Sequence, residues 1–150
     1  DAAKDGGAGV IVMHMQGEPQ TMQKAPHYSD VCASVRDFFC QSVRRCIASG
    51  VPATCVALDP GIGFGKTPGH NLALFQRLNE LMISGHPLVI GASRKSFIGK
   101  VLGLSAPGDR EWPTVALTCH SRERGARVFR VHDVKSNTEA LRMTEAILGS

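Results

Sequence analysis

Three observations predict a parallel α/β fold for these 150 residues. Four short, largely apolar runs recur along the chain: Val10–Met13, Cys55–Leu58, Leu88–Ile90 and Val128–Val131. Runs of this length, rich in Val, Ile and Leu on both alternations, suit strands buried on both faces. A helix-like segment follows each run, and strand–helix alternation implies a parallel sheet with helical cover. The polar and glycine-bearing segments come directly after the runs, at the strand ends where parallel α/β proteins build their sites. The units share no sequence period, so the regularity is one of placement and not an internal repeat.

Between the first two runs, SDVCASVRDFFCQSVRRCIASG carries Val31, Val35, Phe38/Phe39, Val43 and Ile47 on one helical face. Ser29 or Asp30 serves as its N-cap and Gly50 as its stop: a short side-chain oxygen satisfies the first free N–H groups, and glycine accepts the left-handed turn that ends a helix. The next helix runs from about Asn71, an N-cap type, through Leu72, Phe75, Leu78 and Leu81/Met82 to Gly85. A short helix follows Ser93, and another spans Trp112 to about Arg124, closed by Gly125. The last helix opens at Ser136-Asn137-Thr138-Glu139, a capping-box pattern, and turns Leu141, Thr144 and Ile147/Leu148 inward. The connections at 59–70 and 91–112 are long and glycine-rich, as loops that carry sites tend to be.

A sheet of four such strands does not close. Left open, its end strands expose unpaired backbone groups, and Val10–Met13 is very apolar for an edge. Eight units would close it, at roughly 250 residues. The expected fold is therefore about four βα units, half of a TIM (β/α)8 barrel, with residues 1–150 as one partial domain.

Composition narrows the function class. The net charge of +4 comes without a Lys/Arg run or basic–aromatic interleaving, so nucleic acid is not an expected partner. No apolar stretch approaches a membrane span. The five cysteines, Cys32, Cys40, Cys46, Cys55 and Cys119, form no CxxC pair, and their odd number argues against a complete disulfide framework. They are expected to be reduced and structural, which suits a cytoplasmic protein. No signal or transit peptide stands at the N-terminus, but the chain starts at Asp1, so an upstream piece and an organellar address stay open. The six histidines show no HExxH or clustered spacing, and no metal site built by the protein alone is expected.

Residues 58–67 read LDPGIGFGKT, which ends like a phosphate-binding P-loop. Counting back from Gly65-Lys66-Thr67 puts Pro60 where that loop needs its first glycine, and proline offers no N–H to a phosphate. Gly61, Gly63 and Gly65 instead let the backbone turn sharply with no Cβ in the way.

Taken in order, MHMQGEPQTMQ, LDPGIGFGKTPGHNLALF, GHPLVIGASRKSFIG and RVHDV resemble the dihydropteroate synthases, pterin-binding enzymes of the folate pathway. The likeness runs from about Gly9 to Leu148 and matches the C-terminal half of that family's (β/α)8 barrel. The resemblance implies a transferase that joins 6-hydroxymethyl-7,8-dihydropterin diphosphate to p-aminobenzoate, giving 7,8-dihydropteroate and pyrophosphate. It implies that Lys95 reaches the pterin carbonyl and ring nitrogen, that Arg94 and Ser96 line the aminobenzoate side, and that Arg130 and His132 hold the diphosphate. It also implies Mg2+ bridging the diphosphate, held mainly by a residue outside this chain; sulfonamides as competitors of p-aminobenzoate; and a homodimeric complete enzyme. The family's first-half motifs are absent, so the chain alone is expected to be an inactive fragment. Glu111-Trp112-Pro113-Thr114 departs from the family's usual Gly-Thr entry to this helix, and Cys119-His120-Ser121-Arg122 is more polar than its usual alanine-rich run. Both lie in a region that bears on dimer contacts in the family.

The chemistry of the same residues agrees. Asp59, at a strand end, can accept the two parallel N–H donors of a pterin's pyrimidine edge in a fork, although alone it also reads as a turn residue before Pro60. Gly63 and Met15 are candidate pocket walls. Phe64 offers a ring face for p-aminobenzoate, or an anchor for its own loop. Arg130 and His132 alternate along the last run and share a face, with Val131 turned the other way, so both can converge on one anion. Cations aimed at a leaving diphosphate lower the barrier to breaking its bond to carbon. Asp59, Lys95, Arg130 and His132 form the expected catalytic set. His14 reads as a satisfied core histidine and Asp133 as a helix cap. The alternatives are a pterin- or anion-binding module without turnover and a pterin-binding methyltransferase barrel; SRKSFIG followed by RVHDV favours the synthase.

Overall fold

A computed structural model of the chain describes residues 3, 6–17, 22 and 25–149. Its strands are β1 (Val10–Met13), β2 (Val56–Asp59), β3 (Val89–Ile90) and β4 (Val128–Phe129). β1 pairs with β2 in parallel, from Val10 opposite Val56 to Met13 opposite Asp59. A parallel bridge between Leu58 and Leu88 joins β2 to the start of β3, and β3 pairs in parallel with β4. The spatial order therefore follows the chain order, and all the strand tips point one way. β3 starts one residue later than its apolar run, Leu88 forming only the bridge to Leu58, and β4 stops at Phe129, two residues short of its run, as the chain enters the site.

The helices are α1 (Val31–Ala48), α2 (Pro68–Gln76), α3 (Ser96–Leu102), α4 (Glu111–Glu123) and α5 (Val134–Leu148). α1 begins as its sequence predicts: Asp30 accepts from the N–H groups of Cys32 and Ala33 at 2.8 and 3.1 Å, and Val31, Val35, Phe39 and Val43 are buried. Those side chains join Leu58, Ile62, Leu74, Leu78, Leu81 and Leu88 in one core. Ile47, expected on the same face, is exposed, since the last turn of α1 overhangs that core.

Two helix starts differ from expectation. α2 is capped by Thr67, not Asn71: Pro68 presets the first helical φ, and Thr67 and His70 exchange hydrogen bonds in a capping box. The helix then stops at Gln76, and a 3-10 turn at Leu78–Leu81 buries both leucines. α5 begins at Val134, where Asp133 accepts from the Ser136 N–H at 3.2 Å and its hydroxyl at 2.6 Å. Ser136 is thus the donor partner of the cap and not the cap. Thr144 is buried against the fold, but Ile147 is 75% exposed and Leu148 45%, because α5 runs on past the surface it covers.

Candidate functional site

The tips of β2 and β3 and the segment after β4 meet around a cavity of about 280 Å³ whose walls include Phe64, Gly91, Ser93, Lys95, Arg130 and His132. Arg130 continues the sheet, its N–H bonded to the Ile90 carbonyl at 2.9 Å. Arg130 and His132 line the cavity together, as their spacing predicts. Val131 lines it too, contrary to the expectation that it faces away, because strict strand alternation ends at Phe129.

Asp59 lies at the base of this cluster, 2% exposed. Its Oδ1 accepts from the Gly61 N–H at 2.7 Å, and its Oδ2 is 3.5 Å from the Arg130 guanidinium. Burial pushes its carboxyl up from the ordinary aspartate value, against the pull of the Gly61 hydrogen bond and the Arg130 and Lys95 charges. Lys95 stands with its ammonium 3.9 Å from the Phe64 ring centroid, a cation–π contact. Burial lowers the Lys95 pKa first and the Arg130 charge second, while Asp59 raises it. Gly63, predicted as a pocket wall, is not among the residues lining this cavity but packs under Lys95: a Cβ there would stand 3.2 Å from the Lys95 Cδ.

Two wall residues have roles the sequence does not reveal. Gly91 clears the path of Arg130, since a Cβ would meet its Nη2 at 2.8 Å. The Ser93 hydroxyl accepts from the His132 N–H at 3.2 Å and lies 2.8 Å from His132 Nδ1. The serine hydroxyl can both donate and accept, so it fixes the orientation of the His132 ring at the cavity.

Other predicted site residues stand outside the cavity wall. Arg94 adopts a positive φ of 57°, and its guanidinium pairs with Glu111 at the start of α4. Its N–H is bonded to the Thr114 hydroxyl at 3.2 Å, so the residue clamps the loop to α4. Ser96 is exposed at the first position of α3, beside a narrow recess shared with Gly63, Lys66 and Asn71. Met15 is half-buried beyond β1 and is not among the lining residues.

Sequence reasoning missed the group that organises LDPGIGFGKT. Lys66 is buried, with its ammonium 3.0 Å from His14 Nδ1, 3.1 Å from the Gly61 carbonyl and 3.0 Å from the Phe64 carbonyl. Burial lowers its pKa to about 8, with Asp59 opposing. His14 is a satisfied core histidine, as expected: burial, and then the Lys66 charge, lower its pKa to about 4. A neutral His14 can therefore accept from the lysine. Asn71 completes the support, its Oδ1 accepting from the Gly63 N–H at 2.8 Å.

Among the described residues, no three His, Cys, Asp or Glu side chains gather to hold a metal ion. The groups around the cavity are mainly cationic donors, and Asp59 already accepts from Gly61 and faces Arg130. This set suits an anion and does not fit a divalent cation bound directly by the protein. No helix among the described residues is long and apolar enough to cross a membrane.

A family model described as pterin binding enzyme matches residues 1–132. The dihydropteroate synthase of Escherichia coli strain K12 is 43% identical over 150 residues, covering 100% of this chain and 53% of the relative. A Yersinia pestis dihydropteroate synthase solved with a sulfonamide drug superposes with a TM-score of 0.94 at 40% identity, covering 99% of this chain and 54% of that one. Two structures of the Thermus thermophilus enzyme, in complex with 6HMPPP and with 4-aminobenzoate, superpose at TM-scores of 0.92 and 0.91. Each is 43% identical and covers 98% of this chain, and 58% and 60% of the respective structures. The fold is that of about half of such a barrel, and the chain spans about half the length of the curated relatives it matches.

Proposed function

The chain belongs to the pterin-binding enzyme family, and from that we propose that it supplies the C-terminal half of a dihydropteroate synthase active site. One observation carries the reading: Lys95, Arg130 and His132 line one cavity with Phe64, and the buried Asp59 lies behind that wall, 3.5 Å from the Arg130 guanidinium.

In this reading the Asp59 carboxylate accepts the two parallel N–H donors of the pterin edge. It would reject a ring lacking those donors, because the buried carboxylate would then stay unpaired. Lys95 donates to the pterin carbonyl and ring nitrogen. The p-aminobenzoate ring packs against Phe64, and sulfonamides compete for that place. Ser96 serves the outer, carboxylate end of the same ligand, while Arg94 acts through its clamp on Glu111 and Met15 forms part of the outer pterin wall.

The bond-making step is a displacement at the pterin's exocyclic methylene. The amine nitrogen of p-aminobenzoate forms the new C–N bond, the C–O bond breaks with its electron pair going to the departing diphosphate, and the nitrogen's extra proton passes to that diphosphate or to water. Negative charge builds on the departing oxygen. In this reading the Arg130 guanidinium and a His132 ring N–H donate where that charge develops, so they stabilise the transition state more than the ground state. The family implies Mg2+ with the diphosphate; the described residues offer no ligand set for it, and no step here depends on it. The complete enzyme is proposed to be a cytoplasmic homodimer.

A turnover assay tests this reading, run on the chain alone and on the chain supplied with the portion of the Escherichia coli relative that lies outside the match. Product is expected only in the second case. A complemented preparation that binds pterin diphosphate yet never releases pyrophosphate would show a binding module without turnover.

A further inference from the structure

We propose that Lys66 is a positioning residue for this cavity: its buried ammonium sets where Gly63 and the Phe64 ring stand against Lys95, and so how an aromatic amine packs there. The inference rests on the functional reading above but has a readout independent of it. The stretch 59–67 has little conformational preference of its own, because Gly61, Gly63 and Gly65 all take positive φ, at 67°, 80° and 61°. Something outside the local backbone must choose its shape.

The contacts identify what chooses it. The turn is pressed onto the chain after β1: a Cβ on Gly61 would lie 1.8 Å from the His14 carbonyl oxygen, and one on Gly65 would lie 2.4 Å from that of Gln16. The Tyr28 hydroxyl holds the Gly65 carbonyl at 3.0 Å, and Asn71 holds the Gly63 N–H. Lys66 spans the middle, tying the carbonyls of Gly61 and Phe64 to His14 Nδ1. The two carbonyls bracket Ile62 and Gly63, and the second belongs to the residue whose ring meets Lys95. Burying an ammonium is costly, and an apolar side chain of similar length would fill the space more cheaply. A charge kept there, with each N–H directed at a separate acceptor, selects one loop geometry.

Lys66→Met, Phe64→Ala and the double variant test this in the full-length protein. Amide hydrogen exchange over 60–67 should accelerate by about tenfold or more in Lys66→Met while α1 and α5 keep their protection. The KM for p-aminobenzoate should rise about tenfold, with the KM for pterin diphosphate within about twofold, and the rise should vanish in the Phe64→Ala background because Lys66 acts through that ring. Unchanged exchange over 60–67, or a KM rise that persists without Phe64, overturns the proposal; the latter is what a merely architectural lysine gives. If Lys66→Met does not fold, Lys66→Gln, which keeps a donor on a shorter stem, is read in the same way. Loss of fold in both overturns the proposal, since the ammonium would then hold the domain and not aim one loop. A wild-type protein without turnover counts against the functional reading and leaves the exchange experiment to decide this one.

Discussion

Replacing Asp59 by asparagine separates what this carboxylate does for binding from what it does for folding. The side chain is buried and its Oδ1 accepts from the Gly61 N–H, a bond that asparagine can keep through its own carbonyl. Asparagine cannot keep the second acceptor of the fork: an NH2 group would face a pterin N–H, losing one charge-assisted bond and opposing donor to donor. Such a loss amounts to about 3 kcal/mol, or roughly a hundredfold in Kd. Stability moves differently. Burial raises the Asp59 pKa in the folded state, so the folded chain holds that proton more tightly than the unfolded one, and ionisation costs stability as pH rises through the folded value. Asparagine removes that cost. It also removes the 3.5 Å pairing with Arg130, whose side chain is 57% exposed, worth at most about 1 kcal/mol after solvent screening. Titration calorimetry of the complemented enzyme should show pterin diphosphate weakened about a hundredfold and p-aminobenzoate little changed, with the melting temperature held or raised. Equal losses for both ligands, or a stability loss well beyond about 1 kcal/mol, would refute the reasoning.

Gly61→Ala should destabilise the chain by more than about 3 kcal/mol in urea titration, because it places a Cβ 1.8 Å from the His14 carbonyl oxygen at a φ of 67°. His14 makes stability fall with acid. Its folded pKa of about 4 lies below the ordinary 6.5, so the unfolded chain takes up the proton first and stability drops through that window by about 2 kcal/mol after allowing for screening. Urea midpoints from pH 7 to 4 should show this slope, and His14→Gln should flatten it. Lys66 acts at the other end: with its pKa lowered to about 8 from 10.5, stability should rise as pH climbs through that interval, and Lys66→Met should abolish the rise. The isolated 150 residues should self-associate through the open sides of β1 and β4, since Ile11 is 55% and Val128 40% exposed there. A monodisperse, cooperatively melting monomer by sedimentation and calorimetry would contradict that.

Local rules were enough to locate the strands, to narrow the α1 cap to Ser29 or Asp30 and to order the site-bearing loops, because each depends on residues within a turn or two of one another. Arg130 and His132 do share one cavity, but not by the alternation that suggested it, since β4 ends at Phe129 and Val131 lines the cavity between them. The Thr67 cap was available in the sequence as well: Pro68 at the first helical position marks it, and the reading from Asn71 passed over that signal. Asn71 was then free for a task no window shows, holding Gly63 from eight residues away. Arg94 reads from the sequence as lining the aminobenzoate side, and no local window shows that Glu111, seventeen residues on, pairs with its guanidinium.

By itself, then, the sequence determined the alternation of strand and helix, and with it the rule that polar residues after the strands share one rim. Only the tertiary structure decided which of them touch. His14 and Lys66 are fifty-two residues apart, and Asp59 at the end of β2 reaches Arg130 after β4 across the intervening β3. Periodicity and capping act through the backbone over a few residues. A buried lysine's partners, a carboxylate's raised pKa and the clearance at Gly61 or Gly91 arise only when distant segments are packed together and water is excluded between them.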